Sequence, residues 1–363
     1  MALADRLRAL PWTTIVPVLA LIPLALTWGT KPGTPVLIVV GLFLAGSVLS
    51  AVHHAEVVAH RVGEPFGSLV LAVAVTVIEV ALIVTLMTTG GSDTSTLARD
   101  TVFAAAMITT NGIVGICILI GALKRRFAEF NAEGTATALA TVATLATLTL
   151  VLPTFTTSAP GPEFSSAQLA FAAVASIVLY GLFVVVQTVR HRDYFLPVGG
   201  EAGPEAHAAP PTNRETVQSL VLLLVALVAV VGLAKTESPA IEDGVDAIGA
   251  PHSAVGVVIA LLVLLPETLA AVRNARRDRV QTSFNLAYGS AIASIGLTIP
   301  AIAVASIWLD GPLVLGLGST QMVLLAITAV VSALTVLPGR ATLQEGGVHL
   351  VLFAAFVFLA VFP

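Results

Sequence analysis

The chain has 363 residues, of which 57% are hydrophobic and only 10% are charged, and its formal net charge is −4. Soluble domains carry about 25% charged residues, so this composition excludes a soluble globular protein and indicates a polytopic membrane protein. The single cysteine, Cys117, excludes an internal disulfide framework and a multi-cysteine metal site. No basic, aromatic-interleaved stretch indicates nucleic-acid binding, and we expect no nucleic-acid partner.

Apolar runs predict about eleven membrane spans, because roughly 20 apolar residues suffice for one transmembrane helix. The predicted spans cover residues 12–28, 34–54, 66–88, 100–121, 134–153, 166–189, 215–234, 253–273, 283–308, 317–337 and 346–362. The first apolar run lacks a convincing small-residue cleavage site, so we interpret it as a span and not as a signal peptide. The predicted fold class is an all-α polytopic membrane protein.

Basic residues are distributed unevenly between the two sides of this topology. All but three of the 17 Lys and Arg residues fall in the alternate segments that begin with the N-terminus, and the exceptions are Lys31, Arg99 and Lys235. Because cytoplasmic loops carry an excess of Lys and Arg, we predict a cytoplasmic N-terminus and an external C-terminus. The expected location is the plasma (inner) membrane.

A Pro-, Gly- and Ala-rich segment, residues 190–214, has no apolar period and is predicted to be a cytoplasmic linker. It separates five spans in 34–189 from five spans in 215–363, and leaves 1–33 as a cytoplasmic N-terminus with an extra helix. Since five is odd, the second set enters the membrane from the opposite face. We therefore predict a 5+5 inverted-repeat core, an architecture of many secondary transporters, plus one extra N-terminal helix.

Each set carries one acid in the second of its five spans. Glu79 lies near the middle of Phe66–Met87, and Glu267 follows Pro266 in Val255–Val272. A carboxylate near the bilayer centre costs at least about 2.5–3.5 kcal/mol, so it is a functional hypothesis by default. The alternative is two unrelated acids, each neutralised by protonation or by a neighbouring helix. The matched pair favours one cation site assembled from two related halves.

Other polar groups lie close to these acids in the sequence. Pro266 removes a backbone hydrogen bond, which predicts either a simple kink or a broken helix that presents the Leu262 and Val263 carbonyls to a cation. The third span of each set is rich in small and polar residues, which let helix backbones approach closely and can face a cavity. These residues include Asn111 in the first set and Asn285, Ser290 and Ser294 in the second.

Two motifs near predicted cytoplasmic ends leave alternatives open. Glu64, which precedes Pro65, belongs either to a plain helix start or to a cytoplasmic gate that relays protons or cations inward. His53, Glu56 and His60 are spaced to share one helix face. We interpret that face as a solvated helix end or a pH-responsive ion-uptake site, and less readily as a structural metal site.

Three stretches carry a family resemblance: His53–Met87, Arg99–Gly115 and Leu264–Ala301. They resemble the ChaA-type calcium/proton antiporters of the cation/calcium exchanger superfamily, and the GEPFG…VIEVALI block is specific to that group. The resemblance covers essentially the whole chain and implies a ten-helix inverted-repeat core with an extra N-terminal helix. It also implies that the acid in the second helix of each repeat binds the cation, which corresponds to Glu79 and Glu267.

The resemblance further implies side-chain oxygens from the third helix of each repeat. The implied metal ligands are Glu79, Glu267, Asn111, Ser290 and Ser294. Thr76 and Asn285 are secondary candidates for the ion pathway. The chain departs from the family pattern at Met107, where a Ser is expected, and at Ser294, where an acid or amide is expected. The implied site has two strong carboxylates and fewer neutral oxygens than superfamily sites usually show.

We therefore expect a secondary active antiporter that exchanges cytoplasmic Ca²⁺ for external H⁺ by alternating access. Na⁺/H⁺ or K⁺/H⁺ exchange is the alternative, and a cation channel or a non-transporting scaffold is less favoured. An intramembrane enzyme is disfavoured because neither a nucleophile–base spacing nor a His-Glu-x-x-His motif occurs. The expected partners are the transported cations, protons and the lipid bilayer, without a resident cofactor, and the sequence leaves the oligomeric state open.

Overall fold

The computed structural model describes residues 11–30, 32–63, 66–89, 94–198, 211–309 and 311–363. Within these ranges the chain is almost entirely helical, and its packing divides it into two compact units. Unit 1 combines Met1–Ser92 with Ala209–Ala247, and unit 2 combines Asp93–Ala208 with Ile248–Pro363. Each unit therefore takes segments from both predicted halves of the sequence.

The helices are numbered here in chain order. They are α1 (Trp12–Thr27), α2 (Thr34–Val62), α3 (Phe66–Thr89), α4 (Leu97–Arg125), α5 (Ala132–Thr154), α6 (Ser166–Arg190), α7 (Asn213–Ala247), α8 (Ser253–Val263), α9 (Leu265–Arg276), α10 (Val280–Ala305), α11 (Ser319–Val336) and α12 (Leu343–Val361). Helices α1 to α3 and α7 belong to unit 1, and the other helices belong to unit 2.

Each of the eleven predicted spans coincides with a helical element, with α8 and α9 together forming one of them, and the predicted all-α membrane fold is confirmed. Nine helices of the described residues are long and apolar enough to cross a membrane, or up to ten if the bent pair α8 and α9 is one span. Helix α1 is apolar but has only 16 residues and contains Pro17 and Pro23. At 1.5 Å per residue it is about 24 Å long, which makes it the shortest of the predicted spans.

Two helices continue past the apolar runs that predicted them. Helix α2 ends at Val62 and α7 at Ala247, whereas hydropathy predicts ends near residues 54 and 234. With 35 residues, α7 is about 52 Å long, more than the roughly 30 Å of bilayer hydrocarbon. The helices extend beyond the predicted spans because hydropathy reports which part of a helix prefers lipid, while polar residues such as Glu237 continue the same helix.

In unit 1, α2 packs against α1, α3 and α7, and α7 is its most extensive neighbour. His54 on α2 is buried, with Nε2 3.0 Å from the Thr13 carbonyl of α1 and Nδ1 3.3 Å from Ser219 Oγ of α7. Ser50, about one turn earlier, donates to the same Thr13 carbonyl. These hydrogen bonds join three helices at one level of the unit.

In unit 2, α8 packs closely against the beginning of α4. A Cβ atom on Gly256 would lie 2.8 Å from the Thr101 amide nitrogen, so this approach requires glycine. Next to this contact, Asp100 Oδ1 accepts hydrogen bonds from Arg99 Nε at 2.8 Å and from Gln321 Nε2 at 3.2 Å. The close approach and the Asp100 bonds fix α8 to α4 and α4 to the beginning of α11.

Among the described residues, strands occur only as one short pair between two loops of unit 2. Strand β1 (Ala128–Glu129) pairs antiparallel with β2 (Arg340–Ala341). The Arg340 guanidinium also lies 5.0 Å from the centroid of the Phe127 ring. This pair joins the segment after α4 to the segment after α11.

Candidate cation-binding site

Glu79 lies on α3, in the span where the sequence places it. The residue is buried, with 2% of its surface exposed. Thr76, three residues earlier, is also buried and lies on the same helix face. Helix α3 is continuous from Phe66 to Thr89, so an unbroken helix presents the Glu79 carboxyl.

Glu267 lies at a break in its span, unlike Glu79. Helix α8 ends at Val263, α9 begins at Leu265, and the two axes differ by 53°. Pro266 is in the first turn of α9 and lacks an N–H group, so the Leu262 carbonyl loses its usual helical donor. The broken helix that Pro266 predicts is therefore present, and it places Glu267 in the first turn of α9, where the helix dipole favours a carboxylate.

Both third spans contain a π-helical segment, which the sequence pattern did not predict. The segment is Ile108–Ile113 in α4 and Ser294–Thr298 in α10. Asn111 lies inside the first and Ser294 begins the second, and the two residues occupy matching places in the predicted repeats. π-Helical segments also occur at Thr147–Val151 in α5 and at Val186–Arg190 in α6, so they do not single out the third spans, and the pairing of Asn111 with Ser294 stays a prediction.

Asn111 belongs to a buried polar cluster that connects three helices of unit 2. Its Oδ1 lies 3.1 Å from His349 Nδ1 on α12, and its Nδ2 donates to Thr328 Oγ1 on α11 at 2.9 Å. The second ring nitrogen of His349 lies 3.2 Å from Thr335 Oγ1. All four residues are buried. The cluster therefore fixes the orientation of the Asn111 carboxamide, with its oxygen towards His349.

The predicted ligands and the pathway candidate on α10 have different surroundings. Ser294 is buried at the beginning of its π-helical segment, and Ser290, one turn earlier, is half-buried. Asn285 donates from Nδ2 to the Phe195 carbonyl at 2.6 Å and accepts from Gln281 Nε2 at 2.8 Å. The amide nitrogen of Asn285 therefore holds the segment around Phe195, while its oxygen bonds to Gln281 of the same helix, and the place of Asn285 in an ion pathway stays a prediction.

The predicted ligands are divided between the two units. Glu79 belongs to unit 1, as does the pathway candidate Thr76, and the other predicted ligands belong to unit 2. Those of unit 2 are Glu267, Asn111, Ser290 and Ser294. That Glu79 faces Glu267 across a shared pocket stays a prediction.

The histidine-rich end of α2 differs from the predicted arrangement in one respect. His53, Glu56 and His60 are exposed, as expected for one solvated helix face. Within the described residues, no three or more His, Cys, Asp or Glu side chains are grouped so that they could hold a metal ion, so the structure gives no support to a structural metal here. Glu64 lies outside the described residues. The buried histidine of this helix is instead His54.

Among the buried ionisable residues that sequence reasoning missed are His54, His349 and Glu237. A signal was available for His349, which stands alone in the apolar run of α12. His54 was hidden beside His53 in a polar stretch, and Glu237 was hidden because the predicted span ended before it.

Two curated relatives match almost the full length of this chain. The putative ionic transporter y4hA of Sinorhizobium fredii (strain NBRC 101917 / NGR234) is 42% identical over 355 residues, which cover 97% of this chain and 96% of the relative. The sodium-potassium/proton antiporter ChaA of Escherichia coli (strain K12) is 34% identical over 360 residues, which cover 98% and 97%. The expected ChaA relationship is confirmed, although this relative's name specifies sodium and potassium and not calcium.

Solved structures and a family profile agree with this relationship. The crystal structure of the H⁺/Ca²⁺ exchanger CAX superposes with a TM-score of 0.71 at 17% identity, covering 95% of this chain and 86% of that chain, and shows a shared fold. The profile of the family described as sodium/calcium exchanger protein matches residues 33–189 and 218–362. The chain therefore belongs to the sodium/calcium exchanger protein family of cation antiporters.

Proposed function

We propose that this antiporter exchanges cytoplasmic Ca²⁺ for external H⁺ at one intramembrane site that contains Glu79 and Glu267. The observation that carries the proposal is an acid in the second span of each half, combined with the helix break at Glu267. Apolar spans keep ionisable residues mainly where a transported ion or proton uses them. A broken helix is also a common means by which transporters present backbone oxygens to a cation.

Charge balance explains how one pocket binds either Ca²⁺ or protons. Two carboxylates carry a charge of −2 when the pocket is empty, and either one Ca²⁺ or two protons neutralise it. Ca²⁺ takes 6–8 oxygen ligands, of which two carboxylates supply up to four. The Leu262 carbonyl, the serines of α10 and water are the remaining oxygen sources. Asn111 Oδ1 already makes a hydrogen bond with His349, so it can bind the cation only while it also keeps that bond.

The cycle follows from the same balance. A neutral pocket can pass through an occluded state between inward- and outward-open forms, whereas an empty charged pocket resists the loss of water. Ions therefore cross only in exchange. The proposed orientation has the N-terminus in the cytoplasm and the C-terminus outside, because Lys and Arg residues concentrate in the segments assigned to the cytoplasm.

A second candidate is exchange of Na⁺ or K⁺ for H⁺. It is supported by the name of the Escherichia coli relative, a sodium-potassium/proton antiporter. It is also supported by the Asn111 amide, which already has two hydrogen-bond partners and leaves fewer neutral oxygens for a divalent ion. A monovalent ion requires less charge compensation than Ca²⁺, so the same two acids can serve it.

Proteoliposomes with an imposed pH gradient test these candidates. Purified protein is given Ca²⁺, Na⁺ or K⁺ in turn, and cation uptake is recorded together with the collapse of the gradient. We expect coupled fluxes that disappear in Glu79→Gln and Glu267→Gln and persist in Glu133→Gln, an exposed acid of α5. If both site variants keep coupled exchange, the site is wrong, and if cation flux occurs without proton flux, the antiport mechanism is wrong.

A further inference from the structure

Glu237 on α7 is a buried acid that the proposed site does not use. Only 8% of its surface is exposed, and Oε1 is buried without a hydrogen-bond partner in the described part of the chain. A buried carboxylate oxygen without a donor is expensive, whereas the neutral, protonated side chain costs much less. Its surroundings therefore favour the protonated side chain.

The Glu237 carboxyl lies against α2 and not in a loop. A Cβ atom on Gly41 of α2 would lie 3.7 Å from Glu237 Oε1, an ordinary van der Waals contact. Gly41 is seven residues into α2, or about 10 Å along its axis. Near this contact, Val40 and Leu44 of α2 and Leu233 of α7 are buried and apolar. The acid thus lies between two packed helices, about two turns from the N-terminal end of α2.

The charged groups around this position do not neutralise Glu237. Lys235, two residues away, lies 5.4 Å from the centroid of the Trp28 ring. Across the described residues, no ion pair includes Glu237. On its own helix, Glu242 accepts from Ser238 Oγ at 3.5 Å.

The helices packed against α7 add few titratable groups near this level. The described part of α1 has none, and α3 has only Glu79. Those of α2 begin at His53, about 18 Å further along that helix. They are His53, His54, Glu56, His60 and Arg61. No basic residue of these neighbouring helices lies near the level of Glu237, so water is the available source of a proton for its carboxylate.

We propose that Glu237 is a second proton-binding site, through which the antiporter takes up protons from the external side. The inference rests on the proposed function, in which α7 runs from the cytoplasm at Asn213 to the exterior at Ala247. When α2 and α7 separate enough to admit water, a carboxylate oxygen takes a proton from hydronium, an O–H bond forms, and water leaves. Repacking of the helices then favours the neutral form.

Carbodiimide labelling tests proton binding without reference to transport. Dicyclohexylcarbodiimide reacts with protonated carboxyls in apolar surroundings, and peptide mass spectrometry locates the label. We expect full-length protein to be labelled at Glu237 more at about pH 6 than at about pH 8, because protonation is the reactive state. Asp243, an exposed acid on the same helix, is the internal control and stays unlabelled. No label at Glu237, or label that does not depend on pH, overturns the proposal.

Transport with a varied external pH tests the role in proton uptake. We expect Glu237→Gln to raise the external H⁺ concentration for half-maximal exchange by at least about threefold, while Asp243→Asn matches the unchanged protein. Glu237→Asp, which keeps a carboxyl, should restore part of the response. An unchanged pH dependence in Glu237→Gln overturns the proposal. If the unchanged protein shows no proton-coupled exchange, the proposed function fails instead, and the labelling still decides whether Glu237 binds a proton.

Discussion

The two acids of the proposed site occupy matching places in the sequence but differ in their local backbone. Glu79 is buried in the middle of α3, a continuous helix of 24 residues. Glu267 is half-buried and lies in the first turn of α9, directly after a 53° bend. One half therefore offers a side chain from a rigid helix, and the other offers a side chain together with a loosened backbone.

In the proposed site, this difference means that the two halves contribute different groups. The backbone carbonyls inside a continuous helix already accept helical hydrogen bonds, so α3 can contribute only side-chain groups, the Glu79 carboxyl and the nearby Thr76 hydroxyl. The break at Pro266 leaves a carbonyl at Leu262 and a helix N-terminus at Glu267. We therefore expect the two halves to respond differently to the same substitution.

Shortening each acid by one methylene should give the largest contrast. We expect Glu79→Asp to lower cation exchange by about 100-fold, because a rigid helix cannot move the carboxyl back by the roughly 1 Å that was lost. Glu267→Asp should lower it by only about tenfold, since the bend allows adjustment. Initial rates in proteoliposomes measure both.

The control for this contrast is Glu133→Asp, an exposed residue of α5 that should leave the rate unchanged. Equal losses in the two site variants would mean that the bend gives Glu267 no extra freedom.

Removing the break itself should have the next largest effect. Pro266→Ala restores an N–H donor for the Leu262 carbonyl, and removal of an in-helix proline stabilises the helix by up to about 3 kcal/mol. We expect a higher melting temperature together with an apparent cation affinity about tenfold weaker. Pro23→Ala on α1 is the matched control, and it should leave cation affinity unchanged. An unchanged affinity in Pro266→Ala would show that the freed carbonyl does not contact the ion.

The buried cluster at Asn111 should respond more through stability than through transport. His349→Leu leaves the Asn111 oxygen and the Thr335 hydroxyl without their partner, which costs about 1–3 kcal/mol of unfolding free energy. Because the residues form one network, His349→Leu and Thr335→Val should be non-additive. Thermal unfolding of the two single variants and the double variant measures this coupling.

His60→Leu, at an exposed histidine, is the control for the cluster variants and should be nearly neutral. Additive losses in the two single variants would contradict the network.

An effect on stability of similar size, without an expected change in cation affinity, is predicted where α8, the first half of the broken span, meets α4. Gly256→Ala places a Cβ atom 2.8 Å from the Thr101 amide nitrogen, which forces a shift that costs about 1–3 kcal/mol. Gly181→Ala on α6 has nothing within 4 Å and should be neutral or slightly stabilising. Melting temperatures that do not differ between the two variants would show that α8 is not held against α4.

Much of the fold follows from hydropathy and charge alone. Eleven apolar runs match the helical elements, and the proline next to Glu267 correctly predicts the break in that span. These features are local, because apolar length and a missing N–H act wherever they occur along a chain. The helix ends were less predictable, since polar residues continue α7 beyond the lipid-preferring segment.

The candidate site was only partly predictable. Glu79 and Glu267 stand out because an acid in an apolar span is costly wherever the helix packs. The His349 bond to Asn111 joins residues far apart in sequence, so no spacing pattern could indicate it. The π-helical turns likewise depend on packing, because the residues of Ile108–Ile113 are compatible with an ordinary α-helix. Glu237 was missed because it follows the end of a predicted span, where acids are common.

Equilibrium binding of radioactive Ca²⁺, with Na⁺ and K⁺ measured in parallel, tests the central claim most directly. If Glu79 and Glu267 hold one cation together, the unchanged protein binds one ion per chain, and either Glu→Gln variant loses that ion completely. The double variant should then bind no less cation than either single variant. Stoichiometric, unweakened binding in either single variant would contradict the account.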